Sequence, residues 1–169
     1  MATPRYFAPP LFKHGDLVIS QTPNILLYLG PKLGLAGLQE DDVYRVNALA
    51  LTALDRLSDE VHDSHHSIAV MLPYEDQKEE SRRRSQYWIQ NRLPSHLDYW
   101  QKVVESDKAS PGPWLLGGIF TYADLVLFQL WEDVKTRPNL AAYLASDRRQ
   151  TYQDWGIYRH YPDNDVFSE

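Results

Sequence analysis

A short hairpin that leads straight into a helix is the feature that most constrains how this chain can fold. Two apolar runs, Leu11-Phe12 and Leu17-Val18-Ile19, are separated by four residues that include Gly15-Asp16, a pair typical of tight turns. The pattern predicts two antiparallel strands. A two-stranded hairpin is marginal alone in water, so we expect it to be held by packing against the residues that follow.

The second strand runs into the start of a helix. Thr22 stands where the N-cap belongs, and Pro23 follows at the first helical position, where its missing N–H is no loss. We expect this helix to end near Leu29, because Gly30-Pro31 is a stop signal. A helix N-terminus offers unpaired N–H groups, and Gln21 and Thr22 flank it with an amide and a hydroxyl. The junction is therefore a predicted seat for a carboxylate or phosphate.

This arrangement resembles the glutathione-binding end of the thioredoxin-like domain in the cytosolic glutathione S-transferase superfamily. In that family a cis-proline opens a strand, a glycine-containing turn follows, and a Gln/Glu-Ser/Thr pair starts the next helix and holds the γ-glutamyl carboxylate of glutathione. The resemblance places the structural cis-proline at Pro10, the turn at Gly15-Asp16 and the glutathione-binding pair at Gln21 and Thr22. The alternative is an ordinary hairpin followed by a well-capped helix.

Two departures from the family pattern concern the chemistry of this site. In the family, the backbone of one residue pairs with the cysteinyl unit of glutathione. Pro9 occupies that position in this chain, and proline keeps its C=O but has no N–H. The strand, helix and second strand that carry the family's catalytic residue have no counterpart before Pro10, and Tyr6 is in the wrong place to take that role. We expect an N-terminally shortened relative without a catalytic residue, in which Pro9, Gln21 and Thr22 contact glutathione.

Composition excludes several classes of function. The chain of 169 residues has no cysteine, which removes disulfides, thiolate metal sites and a cysteine nucleophile. The net charge of −6 gives no electrostatic footprint for nucleic acid, and Arg82-Arg83-Arg84 follows acidic residues that predict ion pairs on a helix surface. No apolar run approaches the length of a membrane span. We expect a cytoplasmic protein that contacts neither nucleic acid nor membrane.

A glycine-punctuated connector, residues 30–37, divides the chain. We expect residues 1–37 to form a partial thioredoxin-like glutathione-binding domain. Residues 38–169 are expected to form an all-α domain of the glutathione-transferase C-terminal type. The predicted fold class is therefore mainly α, with a β-hairpin and a helix before the helical domain.

Two long helices are predicted at the start of the all-α part. Apolar residues recur at helical spacing from Glu40 to Val61. The same periodicity returns from about Tyr74 to Glu105, where Pro94 should kink or divide the helix. The resemblance implies that the first of these helices lines the cleft for the electrophilic substrate.

A capping box marks the start of a later helix. Thr121 is a predicted N-cap, Asp124 can reach back to its N–H, and Phe120 and Leu125 are placed for a hydrophobic staple. The family has this box at the start of its central core helix, which implies structural and not catalytic roles for Thr121 and Asp124.

Compared with the family, an internal segment is missing after Gln129. We expect the helix that starts at Thr121 to merge with the next one, to stop before Pro138 and to leave apolar surface uncovered. A last helix is predicted from Asn139 to about Arg149, followed by an aromatic-rich tail.

Three histidines, His62, His65 and His66, lie near the end of the first long helix at spacings that two metal ligands could use. Histidines at a helix C-terminus also complement the helix dipole and are usually solvated. We prefer the second interpretation and predict no metal, because neither cysteine nor an HExxH pattern supports a site.

Two functions follow from the resemblance. The first is a glutathione S-transferase-like protein, for which glutathione is the co-substrate and a small electrophile the partner, but which is weak or inactive because the catalytic strand is absent. The alternative is a non-catalytic ligand-binding or protein-interaction module with the transferase fold. The sequence leaves open whether the chain is an enzyme, which electrophile it takes and whether it forms the homodimer that is usual in the family.

Overall fold

A computed structural model of the protein describes residues 9–109 and 112–136, with side chains through Leu130. Its strands are β1 (Leu11–His14) and β2 (Leu17–Ser20). Its helices are α1 (Thr22–Lys32), α2 (Glu40–Thr52), α3 (Asp59–His65), α4 (Lys78–Tyr87), α5 (Leu93–Val104) and α6 (Tyr122–Thr136). Within the described residues the fold is mainly α with one antiparallel hairpin, which confirms the predicted fold class.

The hairpin has the predicted strands and turn. His14 pairs with Leu17, which leaves Gly15-Asp16 as a two-residue turn. Gly15 has φ +61°, a left-handed conformation that such turns require and that glycine adopts without strain. The Nδ1 atom of His14 lies 2.8 Å from the hydroxyl of Tyr28, so the end of β1 is fastened to α1.

Helix α1 differs from its prediction at both ends. Its N-cap is Gln21 and not Thr22, because Gln21 has a left-handed backbone and Thr22 is already helical. The prediction of Thr22 as N-cap is therefore wrong by one residue. The helix also continues through Gly30-Pro31 to Lys32, so the predicted end near Leu29 is wrong.

Tertiary packing explains why Gly30 lies inside α1 and does not end it. A Cβ atom added to Gly30 would lie 2.6 Å from the ring of Tyr122, so this helix can approach α6 only with glycine here. The Gly30 carbonyl accepts a hydrogen bond from the Leu35 N–H at 2.8 Å. Pro31 stands in the last turn, where its missing N–H removes a single helical hydrogen bond.

Helices α2 and α3 are two parts of the first predicted long helix. A π-helical segment, Ala53–Ser58, joins them without a break in the helical backbone. Asp42 caps the start of α2 by accepting hydrogen bonds from the N–H groups of Leu38 at 3.1 Å and Gln39 at 2.9 Å. The helix ends at His65, one turn beyond the apolar periodicity that predicted it.

The second predicted long helix is divided in the same way. It starts with a 3-10 turn, Tyr74–Gln77, and continues as α4, a π-helical segment, Trp88–Arg92, and α5. Pro94 lies in the first turn of α5, directly after the π-helical segment, so the irregular part of this helix lies where the sequence predicts a kink or a division, although the backbone stays helical through it. This helix packs against α3, and Arg84 of α4 pairs with Asp63 of α3 at 2.8 Å.

Helix α6 is one unbroken helix, as predicted for two merged helices. The Tyr122 N–H donates to the Leu35 carbonyl at 2.9 Å, and the helix then runs along α2 and the segment Ala53–Ser58. The core lies between these elements and α5. Its fully buried side chains include Val46, Leu57, Leu93, Trp100, Tyr122 and Leu127.

Some predictions are not tested by this structure. The stop before Pro138, the last helix from Asn139 and the aromatic tail lie outside the described residues. The predicted domain boundary stays a prediction; α1 packs directly on α2, so the two predicted domains share a contact surface.

Candidate functional site

The register of the hairpin brings the predicted glutathione-binding residues to one place. Leu11 is opposite Ser20, so Pro10 and Gln21 are the residues next to the paired strands, with Pro9 before Pro10 and Thr22, the first residue of α1, after Gln21. The Pro9–Pro10 peptide bond is cis. All four of these outer residues are exposed. The open end of the hairpin is therefore a small solvent-facing surface built from the residues just before and just after the two strands.

Gln21 has an unusual backbone conformation at this surface. Its φ is 72° and its ψ is 122°, and it is the only non-glycine residue with positive φ in the described part of the chain. Such a conformation costs about 1–3 kcal/mol and persists only where neighbouring structure enforces it. The pairing of β2 holds one side of Gln21, and its carbonyl accepts from the Ile25 N–H at 3.0 Å on the other.

The first turn of α1 leaves hydrogen-bond donors directed outward. The first N–H groups of a helix have no intrahelical partner, and Pro23 contributes none. No side chain caps this helix; Asn24 instead donates its amide to the Ser20 carbonyl at 3.4 Å. Gln21 at the N-cap and Thr22 in the first turn are both exposed and carry an amide and a hydroxyl. The surface can therefore offer several neutral donors and the positive end of a helix dipole to an anion.

Pro9 contributes only an acceptor. It is exposed, its C=O can accept a hydrogen bond, and it has no N–H to donate. An extended ligand lying along this edge can form one backbone bond with Pro9 where another residue would allow two.

Thr121 and Asp124 form a closed cap at the start of α6. The Asp124 carboxylate accepts from the Thr121 N–H at 2.8 Å, the Thr121 hydroxyl at 2.9 Å and the Leu115 N–H at 2.9 Å. Burial raises the pKa of Asp124, although these hydrogen bonds oppose the shift. Both side chains are buried and engaged within the chain, and their structural role stays a prediction. Phe120 packs on Trp114, and its predicted staple with Leu125 stays a prediction.

A cluster that the sequence analysis missed joins α3 to the segment Trp88–Arg92 and α5. The Glu60 carboxylate accepts from Trp88 Nε1 at 3.0 Å and from Arg92 at 2.6 and 3.1 Å, and it lies 3.2 Å from His96 Nε2. Burial opposes ionisation of Glu60, but the bonds from Arg92 and His96 outweigh it and lower its pKa to about 2. We call these four residues the Glu60 cluster. The spacing of positions 88, 92 and 96 places them on one helix face and could have indicated it.

Comparison with known proteins gives one consistent result. A sequence model described as glutathione S-transferase, C-terminal domain, matches residues 62–135. Glutathione S-transferase P 1 of Xenopus laevis is 25% identical over 163 residues, which cover 83% of this chain and 69% of the relative. The glutathione S-transferase of Plasmodium falciparum (isolate 3D7) is 22% identical over 131 residues, which cover 76% and 55%. The chain is therefore similar to glutathione S-transferases, and residues 62–135 match their C-terminal domain.

A solved structure is similar in fold to this transferase-like chain. The Pi-class glutathione S-transferase of Onchocerca volvulus aligns with a TM-score of 0.55 and 21% identity, covering 87% of this chain and 65% of that one. This likeness shows the fold alone. The chain spans between 55% and 69% of the length of these relatives.

The histidines of this transferase-like chain form a row of rings at the end of α3. His62 and His66 have ring centroids 4.9 Å apart, and His65 stacks on Tyr74 at 4.5 Å. Within residues 9–109 and 112–136, no group of three or more His, Asp or Glu side chains could hold a metal ion. A search of the same residues for a helix long and apolar enough to cross a membrane found none.

Proposed function

We propose that this glutathione S-transferase-like chain binds the γ-glutamyl end of glutathione at the open end of the hairpin. Gln21 and Thr22 contact the γ-glutamyl carboxylate, and the Pro9 carbonyl accepts from the cysteinyl unit. The observation that carries the proposal is the exposed, left-handed Gln21 at an uncapped helix N-terminus beside a cis-proline. Backbone conformations of this kind are concentrated at ligand sites.

The expected affinity is low. Hydrogen bonds to a charged group contribute about 1.5–3 kcal/mol each, and the helix N-terminus adds up to about 1 kcal/mol at an exposed site. Association entropy offsets several kcal/mol of this gain. With Pro9 unable to donate, we expect a Kd on the order of 1 mM.

We assign no catalytic residue to this chain. Conjugation requires a donor or positive charge close to the glutathione sulfur, so that the thiolate forms near neutral pH. The one tyrosine of α1, Tyr28, has its hydroxyl 2.8 Å from His14 Nδ1 and is engaged there. We propose that transfer of glutathione to small electrophiles is weak or absent, and that glutathione binding is the primary property of the chain.

The second candidate is a non-catalytic module that binds a ligand or a partner through the transferase fold. The specific observation in its favour is Pro9, which removes the donor that would position the cysteinyl unit for chemistry. A homodimer and a cytoplasmic location are further parts of the proposal, and both are taken from the family.

Calorimetric titration with S-methylglutathione tests the binding proposal, because methylation removes thiol ionisation from the signal. We expect Thr22→Ala to weaken binding several-fold. The matched control is Thr52→Ala on α2, whose hydroxyl donates to the Ala48 carbonyl and lies away from the site. Cysteinylglycine, which lacks the γ-glutamyl group, should not bind. Binding that is unchanged by Thr22→Ala would reject this location.

Turnover separates the two candidates. Glutathione and an activated chloroarene are mixed with the folded chain, and thioether formation is followed by absorbance. A rate above the uncatalysed reaction that is lost in Thr22→Ala would favour the transferase. Binding without such a rate would favour the module.

A further inference from the structure

The sulfur atoms of this chain belong to two side chains. The sequence contains no cysteine and two methionines, Met1 and Met71. Sulfur is the atom that hydroperoxides oxidise in a reversible step, as thiolate in cysteine and as thioether in methionine. A hydroperoxide that meets this chain therefore finds thioether sulfur and no thiolate. Met1 lies outside the described residues, so Met71 is the sulfur-containing side chain whose surroundings the structure describes.

Met71 is the most exposed large apolar side chain in the described part of the chain, at 92%. It lies in the loop between α3 and the turn Tyr74–Gln77, where Ile68 is 56% exposed, Val70 60% and Leu72 37%. We call residues 68–72 the apolar loop. Because oxidation of a sulfur-containing side chain depends on its exposure, a small oxidant reaches Met71 almost as freely as it reaches methionine in a short peptide.

One buried side chain fixes the backbone of the apolar loop. Gln77 is fully buried, and its Oε1 accepts from the N–H groups of Ile68 at 3.0 Å and Ala69 at 3.4 Å. Its Nε2 donates to the carbonyls of Ala69 at 3.0 Å and Leu72 at 2.9 Å. These bonds use backbone groups of the loop, so they do not depend on the chemical state of the Met71 side chain.

Two contacts hold the ends of the same loop. His65, the last residue of α3, stacks its ring on Tyr74 with the centroids 4.5 Å apart. The Ser81 hydroxyl donates to the His65 carbonyl at 2.8 Å, which fastens the start of the loop to α4. The position of the loop is thus determined by side chains other than Met71. A change at the Met71 sulfur therefore leaves the packing of the chain in place.

We propose that Met71 is a site of reversible oxidation by hydroperoxides, at which the apolar loop becomes polar while the fold is kept. The thioether sulfur attacks the terminal oxygen of the hydroperoxide. An S–O bond forms, the O–O bond breaks, and the proton of the terminal oxygen passes to the leaving oxygen, which departs as water or an alcohol. Met71 loses two electrons and the peroxide gains them. A thiol-dependent methionine sulfoxide reductase reverses the change.

The position of Met71 determines what its oxidation does. A sulfoxide is a polar hydrogen-bond acceptor, and in a protein core it disrupts apolar packing. Met71 is outside the core, between the exposed side chains of Val70 and Leu72. Its oxidation therefore interrupts a contiguous apolar run at the surface, and such runs are what a surface offers for apolar contact. The expected result is a change in surface polarity without unfolding.

Peptide mapping by mass spectrometry tests the site in the full chain treated with hydrogen peroxide. Met71 should gain one oxygen at a rate within about twofold of the rate for N-acetylmethionine amide. Oxidation should also lower retention of the folded chain on a hydrophobic-interaction column. Met71→Leu is the matched control, because it keeps an apolar side chain and leaves Met1 as the sole sulfur. Met71→Gln should show the lower retention without peroxide.

The fold is followed in the same samples. The side-chain amide of Gln77 should keep its NMR signals after oxidation, and the urea midpoint should not change. Treatment with the reductase should restore retention. Oxidation of Met71 more than about tenfold slower than that of the reference compound would overturn the proposal. An equal loss of retention in Met71→Leu would assign the effect to another residue, and loss of the Gln77 amide signals would show that the loop does not survive oxidation.

Discussion

The N-termini of α1 and α6 are built from similar residues but are satisfied in opposite ways. At α6 the carboxylate of Asp124 lies inside the protein and accepts three hydrogen bonds from the chain's own backbone and Thr121. At α1 no side chain caps the helix, Thr22 is exposed, and Gln21 is held in a left-handed conformation. A closed helix end stabilises the fold, whereas an open and strained one leaves donors for a ligand.

The largest effect is expected from Asp124→Ala, which breaks the closed end. Removing the carboxylate leaves the N–H groups of Leu115 and Thr121 buried without a partner, at about 1–3 kcal/mol each. We expect a loss of about 3–5 kcal/mol in the free energy of unfolding, measured in urea. Asp98→Ala on the exposed side of α5 is the control and should change it by less than about 0.5 kcal/mol. A similar small loss for Asp124→Ala would contradict a structural role.

A pH titration of stability tests a second closed arrangement, the Glu60 cluster. The pKa of Glu60 is lowered to about 2 in the folded protein, below its ordinary value of 4.5. The contribution of the ionised Glu60 carboxylate to the free energy of unfolding is therefore complete above pH 4.5 and is lost as the pH falls toward 2. Allowing for partial exposure, we expect about 2–3 kcal/mol of the unfolding free energy to disappear over this range. The loss should be absent in Glu60→Gln, and an equal acid loss in that variant would assign it to other groups.

An intermediate effect of opposite sign is expected from Gln21→Gly at the open end. Glycine adopts positive φ without strain, so we expect the free energy of unfolding of the variant to rise by about 1 kcal/mol. This gain is what remains after the added entropy of the unfolded chain is subtracted. Binding of S-methylglutathione should weaken, because the amide is lost. Gln39→Gly at the N-cap of α2 is the matched control; with φ −108° there is no strain to relieve, and the change should destabilise. Destabilisation by both variants would mean that Gln21 is unstrained.

The smallest effect sharpens the contrast between the two threonines. Thr22→Ala should change the unfolding free energy by less than about 0.5 kcal/mol, because its side chain is exposed and caps nothing. Thr121→Ala should cost about 1–2 kcal/mol, because the Thr121 hydroxyl is buried and donates to Asp124. Both variants are measured in the same urea titrations. Equal losses of unfolding free energy for Thr22→Ala and Thr121→Ala would remove the distinction between the open and closed helix ends.

Local signals in the sequence were enough for much of the fold. Gly15-Asp16 specifies a turn through backbone conformation, and Thr121 with Asp124 specifies a helix start through contacts within four residues. The two long helices followed from apolar periodicity. The irregular segment next to Pro94 lies where its missing N–H predicts a disturbance of the helix. Each of these features depends on residues that are close together along the chain.

The features that sequence analysis missed depend on how neighbouring elements of the fold meet. Gly30-Pro31 reads as a stop signal, yet α1 continues through it because the Tyr122 ring of α6 occupies the space beside Gly30. No propensity of glutamine indicates a left-handed Gln21; the pairing of β2 and the first turn of α1 impose it together.

The sequence by itself determined the hairpin, the long helices and the capped helix α6, because turn chemistry, capping and apolar periodicity act over a few residues. Only the tertiary structure decided the shape of the candidate site and the partners of Glu60, which lie 28 to 36 positions away. The physical reason is that packing and burial determine which distant groups meet and what it costs to leave them unpaired.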